Sequence, residues 1–392
     1  MKGICILGST GSIGVSTLDV LRLNHKDFNV LALTAHQNIE RLFQQCLEFN
    51  PQYAVVSDEL LAEQLAEKLR QSTADGTTVL SGEASLCEVA KLGDVDIVVA
   101  AIVGAAGLLP CLSAAEAGKR ILLANKEALV VSGDLFMDAV KQSGGELLPL
   151  DSEHNALFQC MPAGYQTGVR PEGVRKIILT ASGGPFLHMD VNELVNVTPQ
   201  QACAHPNWSM GKKISVDSAT MLNKGLEVIE ASYLFAMPAE HIDVVIHPQS
   251  VIHSLVDYQD SSVLAQLGNP DMKTPIAHAL AWPERINSGV PPLDFVKYGQ
   301  LTFSEPDTVR FPCLQLAFDA LKTGGTAPAI LNAANEVAVD AFLQGHIKFT
   351  SIAKVIENVL GLMTVSPADS IADVLDVDQH AREVSISQLG VV

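Results

Sequence analysis

The sequence predicts an α/β protein with three parts: an N-terminal Rossmann-like parallel-sheet domain, a central α+β domain and a small all-α C-terminal domain. Three observations predict it. Over residues 1–150, short β-rich runs alternate strictly with helical patterns, the signature of βαβ units. After Asp151 the alternation is lost, and beyond Phe311 only helical periodicity is left. The length of 392 residues suits two or three domains of roughly 100–200 residues each.

The elements follow in order. The β-rich runs of the first domain are Ile4–Leu7, Val30–Thr34, Tyr53–Ser57, Thr78–Leu80, Asp96–Ala101, Arg120–Ala124 and Glu146–Leu150. Asn38–Phe49, Asp58–Gln71 and Leu129–Ser143 lie between them with apolar residues at helical spacing. In residues 151–281, Gly, Pro and His gather in loops. There Val244–Ile246, Ser250–Tyr258 and Ser262–Leu267 read as strands, the last two joined as a hairpin across Gln259, Asp260 and Ser261. Prolines 283, 291, 292, 306 and 312 mark residues 282–311 as a linker. In residues 312–392, Leu314–Leu321, Ala327–Leu343, Ile352–Leu362 and Ser370–Ala381 read as helices.

Composition narrows the function. Hydrophobic residues make up 48%, enough for a large core. A net charge of −19 argues against a nucleic-acid partner, which needs a basic face. It leaves room for a small anion, because local lysines and helix N-termini bind phosphate inside an acidic protein. The seven scattered cysteines form no CxxC pair and read as reduced thiols of a cytoplasmic protein. The longest apolar stretch, Val95 to Leu112, is broken by Asp96, Gly104, Gly107 and Pro110, so it reads as a strand, a turn and a helix start, not a membrane span.

The first motif is Gly8-Ser-Thr-Gly11-Ser-Ile-Gly14, directly after the first strand and before a helical pattern. Such glycines permit a tight turn and let backbone N–H groups approach a pyrophosphate at a helix N-terminus. The second strand ends Leu33-Thr-Ala-His36-Gln37-Asn38. It lacks the acid that an NAD site places on the ribose 2′-hydroxyl, and His36 and Asn38 can donate to a 2′-phosphate, so NADP is favoured over NAD.

Asp151-Ser152-Glu153-His154 follows the last strand of the sheet at its carboxyl edge, where such sheets bind ligands. Asp151 and Glu153 converge on a cation if that segment is extended. Asn223 and Glu227 share a helix face, with Lys224 beside them. Three carboxylates without a Cys/His cluster suit a hard ion, Mg²⁺ or Mn²⁺, and not zinc. On spacing alone, Asp151 and Glu153 are more often a helix cap and a solvated side chain, and Glu227 a surface salt-bridge residue. Two further loops have the look of ligand loops. Ala181-Ser182-Gly-Gly184-Pro-Phe186 exposes backbone N–H groups, and His205-Pro-Asn-Trp208-Ser-Met210-Gly211 carries a Trp able to close over a ligand. Taken singly, each is as well explained by a tight turn or a docked loop. His247, His253 and His278 read as core residues.

Together GSTGSIG, LLANKEALV, PLDSEHNA, ASGGPF, HPNWSMGKKISVDSATMLNKGLE and the helical tail resemble the 1-deoxy-D-xylulose 5-phosphate reductoisomerases, in family order from residue 1 to about 390. The resemblance implies a homodimer with NADPH-binding, catalytic and helical domains. It implies metal-assisted rearrangement of 1-deoxy-D-xylulose 5-phosphate and NADPH reduction to 2-C-methyl-D-erythritol 4-phosphate, by retro-aldol/aldol or direct migration. On matching positions it implies Asp151, Glu153 and Glu227 as metal ligands. Ser182, Ser218, Asn223 and Lys224 are implied as phosphate and hydroxyl contacts, and Lys126, Ser152, Glu153 and His205 as further substrate contacts. Lys126, Glu153 and His205 are the catalytic candidates. Thr10, Gly11, Ser12, Ile13, Asn38, Asn125, Glu127 and Gly211 are implied for the cofactor, and Trp208 with Met210 for a lid. Many members resemble Ala-Gly-Lys-Asn where this chain has Ala35-His36-Gln37-Asn38, so the Lys that would pair with the 2′-phosphate is Gln37. The rivals are a semialdehyde dehydrogenase, which needs a Cys nucleophile with a His partner, and an NADP-sensing module without turnover.

Overall fold

A computed structural model describes residues 1–208 and 210–392, which form two compact units. The first unit comprises Met1–Ala128, Phe136–Asn155 and Asp271–Pro291. Its seven strands are β1 (Lys2–Leu7), β2 (Phe28–Thr34), β3 (Tyr53–Val56), β4 (Thr78–Ser81), β5 (Ile97–Ala100), β6 (Arg120–Leu123) and β7 (Glu146–Pro149). All seven lie where the β-rich runs predict them. They form one sheet in the order β4-β3-β2-β1-β5-β6-β7, every pairing parallel. The strand order reverses direction between β1 and β5, the place where open α/β sheets bind ligands beyond their carboxyl ends. The central strand β5, Ile97–Ala100, is apolar and wholly buried, as a sheet covered on both faces requires. Some of the helices between them start on side-chain caps. The Asp58 side chain accepts from the Leu61 N–H at 3.0 Å, and Asn38 accepts from Arg41 N–H at 3.1 Å, each worth about 1 kcal/mol.

The second unit comprises Leu129–Leu135, Ala156–Pro270 and Pro292–Val392. Its sheet has β8 (Val174–Ala181), β9 (Ile242–Ile246), β10 (Ile252–Tyr258) and β11 (Val263–Leu267) in the order β11-β10-β8-β9. The predicted hairpin joins β10 to β11. The Asp260 carboxylate accepts from the Ser262 N–H at 2.9 Å, and Ser261 takes the positive φ of 70° that the turn needs. Helices Lys212–Ala219 and Leu222–Leu234 follow the sheet's loops, and helices Cys313–Thr323, Ala327–Leu343, Ser351–Leu362 and Ile371–Gln388 form the tail. The last of these runs past its predicted end at Ala381. Helix 222–234 meets helix 313–323 at Gly225, where an added Cβ would lie 2.5 Å from that of Ala317. The predicted linker is divided between the units at Pro291 and Pro292, and it is more structured than its prolines suggest. It holds a short helix, Phe295–Tyr298, and a bridge from Ser304 to Ile246. Among the described residues no helix is long and apolar enough to cross a membrane.

Candidate functional site

In the first unit the candidate cofactor residues gather at the carboxyl edge of the sheet. Gly8 follows β1 with φ +84°, and a Cβ there would strike the Ala101 carbonyl at 2.7 Å. A Cβ at Gly14 would sit 2.4 Å from Ser9 Cα, so the helix Ser12–Leu23 can begin this close to the turn only with glycine. Gly11 caps that helix without a side-chain partner, leaving the backbone donors of Ser12 and Ile13 at its N-terminus. The turn is braced from below. The Thr34 hydroxyl accepts from Gly8 N–H at 2.8 Å, and Gln45 both accepts from the Ser9 hydroxyl at 2.7 Å and donates to its carbonyl at 2.9 Å. His36, Gln37 and Asn38 follow β2 and are exposed, with no acid among them.

Asn125 joins two segments at this edge. Its Oδ1 caps helix Lys126–Ser143 by accepting from Ala128 N–H at 2.9 Å. Its amide donates to the carbonyls of Ile102 and Gly104, at 2.5 and 2.9 Å. The side chain therefore ties the β5 loop to the start of that helix. Glu127 lies buried in the first turn of the same helix.

Asp151 and Glu153 are not on an extended segment. Asp151 stands just before helix Ser152–Gln159, and its Oδ1 accepts from the Glu153 N–H at 3.2 Å, so it does cap that helix. The first helical turn brings the Ser152 hydroxyl onto the Glu153 carboxylate. Lys126 Nζ lies 2.8 Å from Asp151 Oδ2, and His154 Nδ1 lies 3.2 Å from its Oδ1. His154 is buried, and sequence reasoning passed over it. The i,i+3 spacing from Asp151 would have found it had the helix been recognised.

In the second unit the loops carry the rest. After β8, Ser182 leads into Gly183 and Gly184, both at positive φ. A Cβ on Gly184 would lie 2.8 Å from the Ser218 carbonyl, so glycine lets this turn seat on the end of helix 212–219. Ser182 Oγ accepts from Gly184 N–H at 3.1 Å and lies 3.0 Å from His205 Nε2. His205 Nδ1 accepts from the N–H groups of Asn207 and Trp208, at 3.2 and 3.0 Å. That fixes the tautomer: Nε2 carries the proton and donates to Ser182, and burial lowers the imidazole pKa, which favours the same neutral form. Asn207, another residue the sequence did not single out, anchors this loop by donating to Pro248 O at 2.7 Å and Ser250 Oγ at 2.9 Å. Trp208 stands 6.2 Å from the His253 ring, and Gly211 caps helix 212–219.

Helix 222–234 delivers Asn223, Lys224 and Glu227 on one face. Both Glu227 oxygens receive donors, one from the Asn223 amide and one from the Lys224 ammonium, and Lys224 and Glu227 are buried. The three histidines read as core are so. His247 Nδ1 donates to Thr302 O at 2.9 Å while its Nε2 accepts from Val251 and Ile252 N–H, and burial pushes the His253 and His278 imidazoles down to about 4. Burial raises the thiols of Cys5, Cys46, Cys111 and Cys313 to about 12, which withdraws these four from nucleophilic chemistry.

A family model described as 1-deoxy-D-xylulose 5-phosphate reductoisomerase matches residues 4–133. Two further models, described as C-terminal domains of that enzyme, match 147–235 and 267–384. A reductoisomerase of Dechloromonas aromatica is 60% identical over 98% of this chain and 96% of its own length. One of Methylococcus capsulatus is 60% identical over 98% of both chains. A crystal structure of DOX-P reductoisomerase in complex with NADPH, fosmidomycin and magnesium superposes with a TM-score of 0.95 at 46% identity, over 100% of this chain and 98% of the other. The Zymomonas mobilis enzyme in complex with NADPH gives 0.92 at 46% identity, over 99% and 98%.

Proposed function

The chain belongs to the 1-deoxy-D-xylulose 5-phosphate reductoisomerase family, and from that premise we propose which of its residues do the work. The protein is an NADPH-dependent, metal-requiring reductoisomerase of isoprenoid precursor synthesis, converting 1-deoxy-D-xylulose 5-phosphate to 2-C-methyl-D-erythritol 4-phosphate.

The first unit fits the cofactor. Gly8 and Gly14 allow the close turn, the N-terminus of helix 12–23 offers backbone donors through Thr10 to Ile13, and the exposed His36 and Asn38 follow β2. Glu127 and Gly211 complete the proposed contacts, with Asn125 acting through the backbone it holds.

Asp151, Glu153 and Glu227 are proposed to hold Mg²⁺ or Mn²⁺. The observation that carries this assignment is that carboxylates in both units already hold a cation of the protein's own: Lys126 on Asp151 and Lys224 on Glu227. Hard oxygen donors that attract a cation suit a hard divalent ion. When bound, that ion supplies Lewis-acid polarisation of the substrate's carbonyl and neighbouring hydroxyl. Ser182, Ser218, Asn223 and Lys224 grip the phosphate, whose binding energy orients the reacting carbons. His205, neutral and donating from Nε2, together with Ser152 fixes hydroxyl groups. Lys126 and Glu153 hold and move protons. Trp208 and Met210 close over the substrate and exclude water.

We propose a homodimer paired through β11. This strand is an outer edge of its sheet, and Val263 and Leu264 leave it 50% and 49% exposed, whereas the other edge, β9, is bridged by Ser304. We propose 1–150, 151–281 and 312–392 as functional parts joined by 282–311; separate family models cover 4–133 and 147–235, and the third runs from 267 to 384 across the linker. Among the described residues no disulfide joins any of the seven cysteines, which supports a cytoplasmic setting. The deciding experiment follows NADPH loss with 1-deoxy-D-xylulose 5-phosphate before and after chelation of divalent metal. Turnover that survives complete chelation sinks the metal assignment.

A further inference from the structure

Arg41 is one residue the sequence reading left without a role. It lies in the first turn of helix Ile39–Phe49, directly after β2, on the exposed surface. Helical side chains lean toward the N-terminus of their helix, and this one leans back until Nη1 donates to the Thr10 carbonyl at 3.1 Å, inside the glycine turn. Its own N–H is held by the Asn38 cap at 3.1 Å. The guanidinium is thus fixed between the two loops that frame the adenosine end of a dinucleotide in this fold: the turn after β1 and the segment after β2.

Its charge is equally telling. In a chain of net charge −19, no carboxylate among the described residues pairs with the Arg41 guanidinium. The acid next to it, Glu40, is engaged by Lys68. The neighbouring position, where a family lysine would stand, is the uncharged Gln37. A lone, oriented cation with a fork of N–H donors is what binds a phosphate monoester.

We propose that Arg41 is the residue that reads the 2′-phosphate of NADPH in this chain, setting the preference for NADPH over NADH in place of a lysine at position 37. This deepens the cofactor assignment and rests on it. His36 and Asn38 contribute neutral donors, and Arg41 the charge.

The test uses the full-length protein and two probes without redox chemistry, 2′,5′-ADP and 5′-AMP, titrated by calorimetry. Arg41→Met keeps the aliphatic stem and removes the charge at an exposed site. It is expected to weaken 2′,5′-ADP by about 10-fold or more, the worth of a charge-assisted hydrogen bond, and to leave 5′-AMP nearly unchanged. NADPH and NADH affinities should follow the same split, and Arg41→Lys should keep most of the preference. The wild-type preference for 2′,5′-ADP should shrink as salt rises. Equal weakening of both probes would show that Arg41 only braces the glycine turn through Thr10, and overturns the proposal. An unchanged preference in Arg41→Met overturns it as well. A wild-type protein that binds 2′,5′-ADP no better than 5′-AMP instead removes the NADP reading on which the proposal stands.

Discussion

Alanine at Gly184 should damage substrate binding far more than alanine at Gly183, although the two are adjacent and both sit at positive φ. Each substitution meets the left-handed backbone penalty of about 1–2 kcal/mol. Beyond that they differ. The Cβ at Gly183 would meet the Leu187 methyls at 2.7 and 2.9 Å, the far end of a side chain that can rotate away. The Cβ at Gly184 would meet the Ser218 carbonyl at 2.8 Å and Ala219 Cα at 3.2 Å, backbone that can yield only if the end of helix 212–219 moves. Overpacking of that kind costs about 1–3 kcal/mol. It falls on the contact that holds the Ser182 turn against Ser218, so it should surface as a loss of phosphate binding. Since a factor of ten corresponds to about 1.4 kcal/mol, KM for the sugar phosphate should rise roughly 10-fold or more in Gly184→Ala. In Gly183→Ala it should rise only about 2- to 3-fold, the fraction of the backbone penalty that reaches the site. Steady-state kinetics on both variants, with NADPH affinity measured in parallel, makes the comparison. NADPH affinity should hold in both, because the glycine turn and the β2 segment belong to the other unit. Equal KM values for the two variants would refute the argument that this turn is seated by the absence of a Cβ at Gly184.

Glu227→Gln keeps the helix and the Asn223 contact but removes the charge that Lys224 now holds. Turnover should fall by orders of magnitude at limiting metal while NADPH affinity stays nearly intact, and normal turnover there would remove Glu227 from the metal set. Asn125→Asp keeps the helix cap and loses the amide donors to Ile102 and Gly104. NADPH affinity should drop several-fold by fluorescence titration, and an unchanged affinity would show that the loop holds its place without them. His278 predicts an acid-side loss of stability. Its folded-state pKa is depressed, from 6.5 to about 4, so its contribution is full above 6.5, declines as pH falls and is gone below about 4. At about 1.4 kcal/mol per pKa unit that share is roughly 3 kcal/mol. Denaturant titrations of wild type and His278→Leu across this window should show a shallower fall in the variant, and parallel curves would contradict the shift.

What was legible in the sequence follows from what each local signal fixes. The glycine turn was legible because glycine suits φ +84° at Gly8 and, at Gly14, a backbone on which a Cβ would lie 2.4 Å from Ser9 Cα, so its spacing carries geometry directly. The seven parallel strands were legible because strands buried on both faces read as unbroken apolar runs. Helix 152–159 was missed for the opposite reason. It opens on four polar residues, Ser152 to Asn155, and its apolar residues, Ala156 to Phe158, come too late to set a period. The bridge from Ser304 to Ile246 joins residues far apart in the chain and leaves no local trace.

The site residues divide in the same way. Asn223, Lys224 and Glu227 were placed on one helix face by their spacing, yet spacing does not say which charges meet. The helix turns both donors onto Glu227, so the groups assigned to phosphate and to metal are electrostatically linked before any ligand arrives. A cation that takes Glu227 competes with Lys224, and a phosphate that takes Lys224 leaves Glu227 with more negative charge for a cation. Each ligand therefore favours the other, and linkage requires the two effects to be equal in size. Asn125 and Arg41 show what side-chain partners add to spacing. A residue at the cofactor edge that looks like a ligand is held as a helix cap, while one that looks like an ordinary surface arginine is aimed at the glycine turn. Residue type and spacing name the candidates; the hydrogen-bond partners already engaged decide which of them has a donor left to offer.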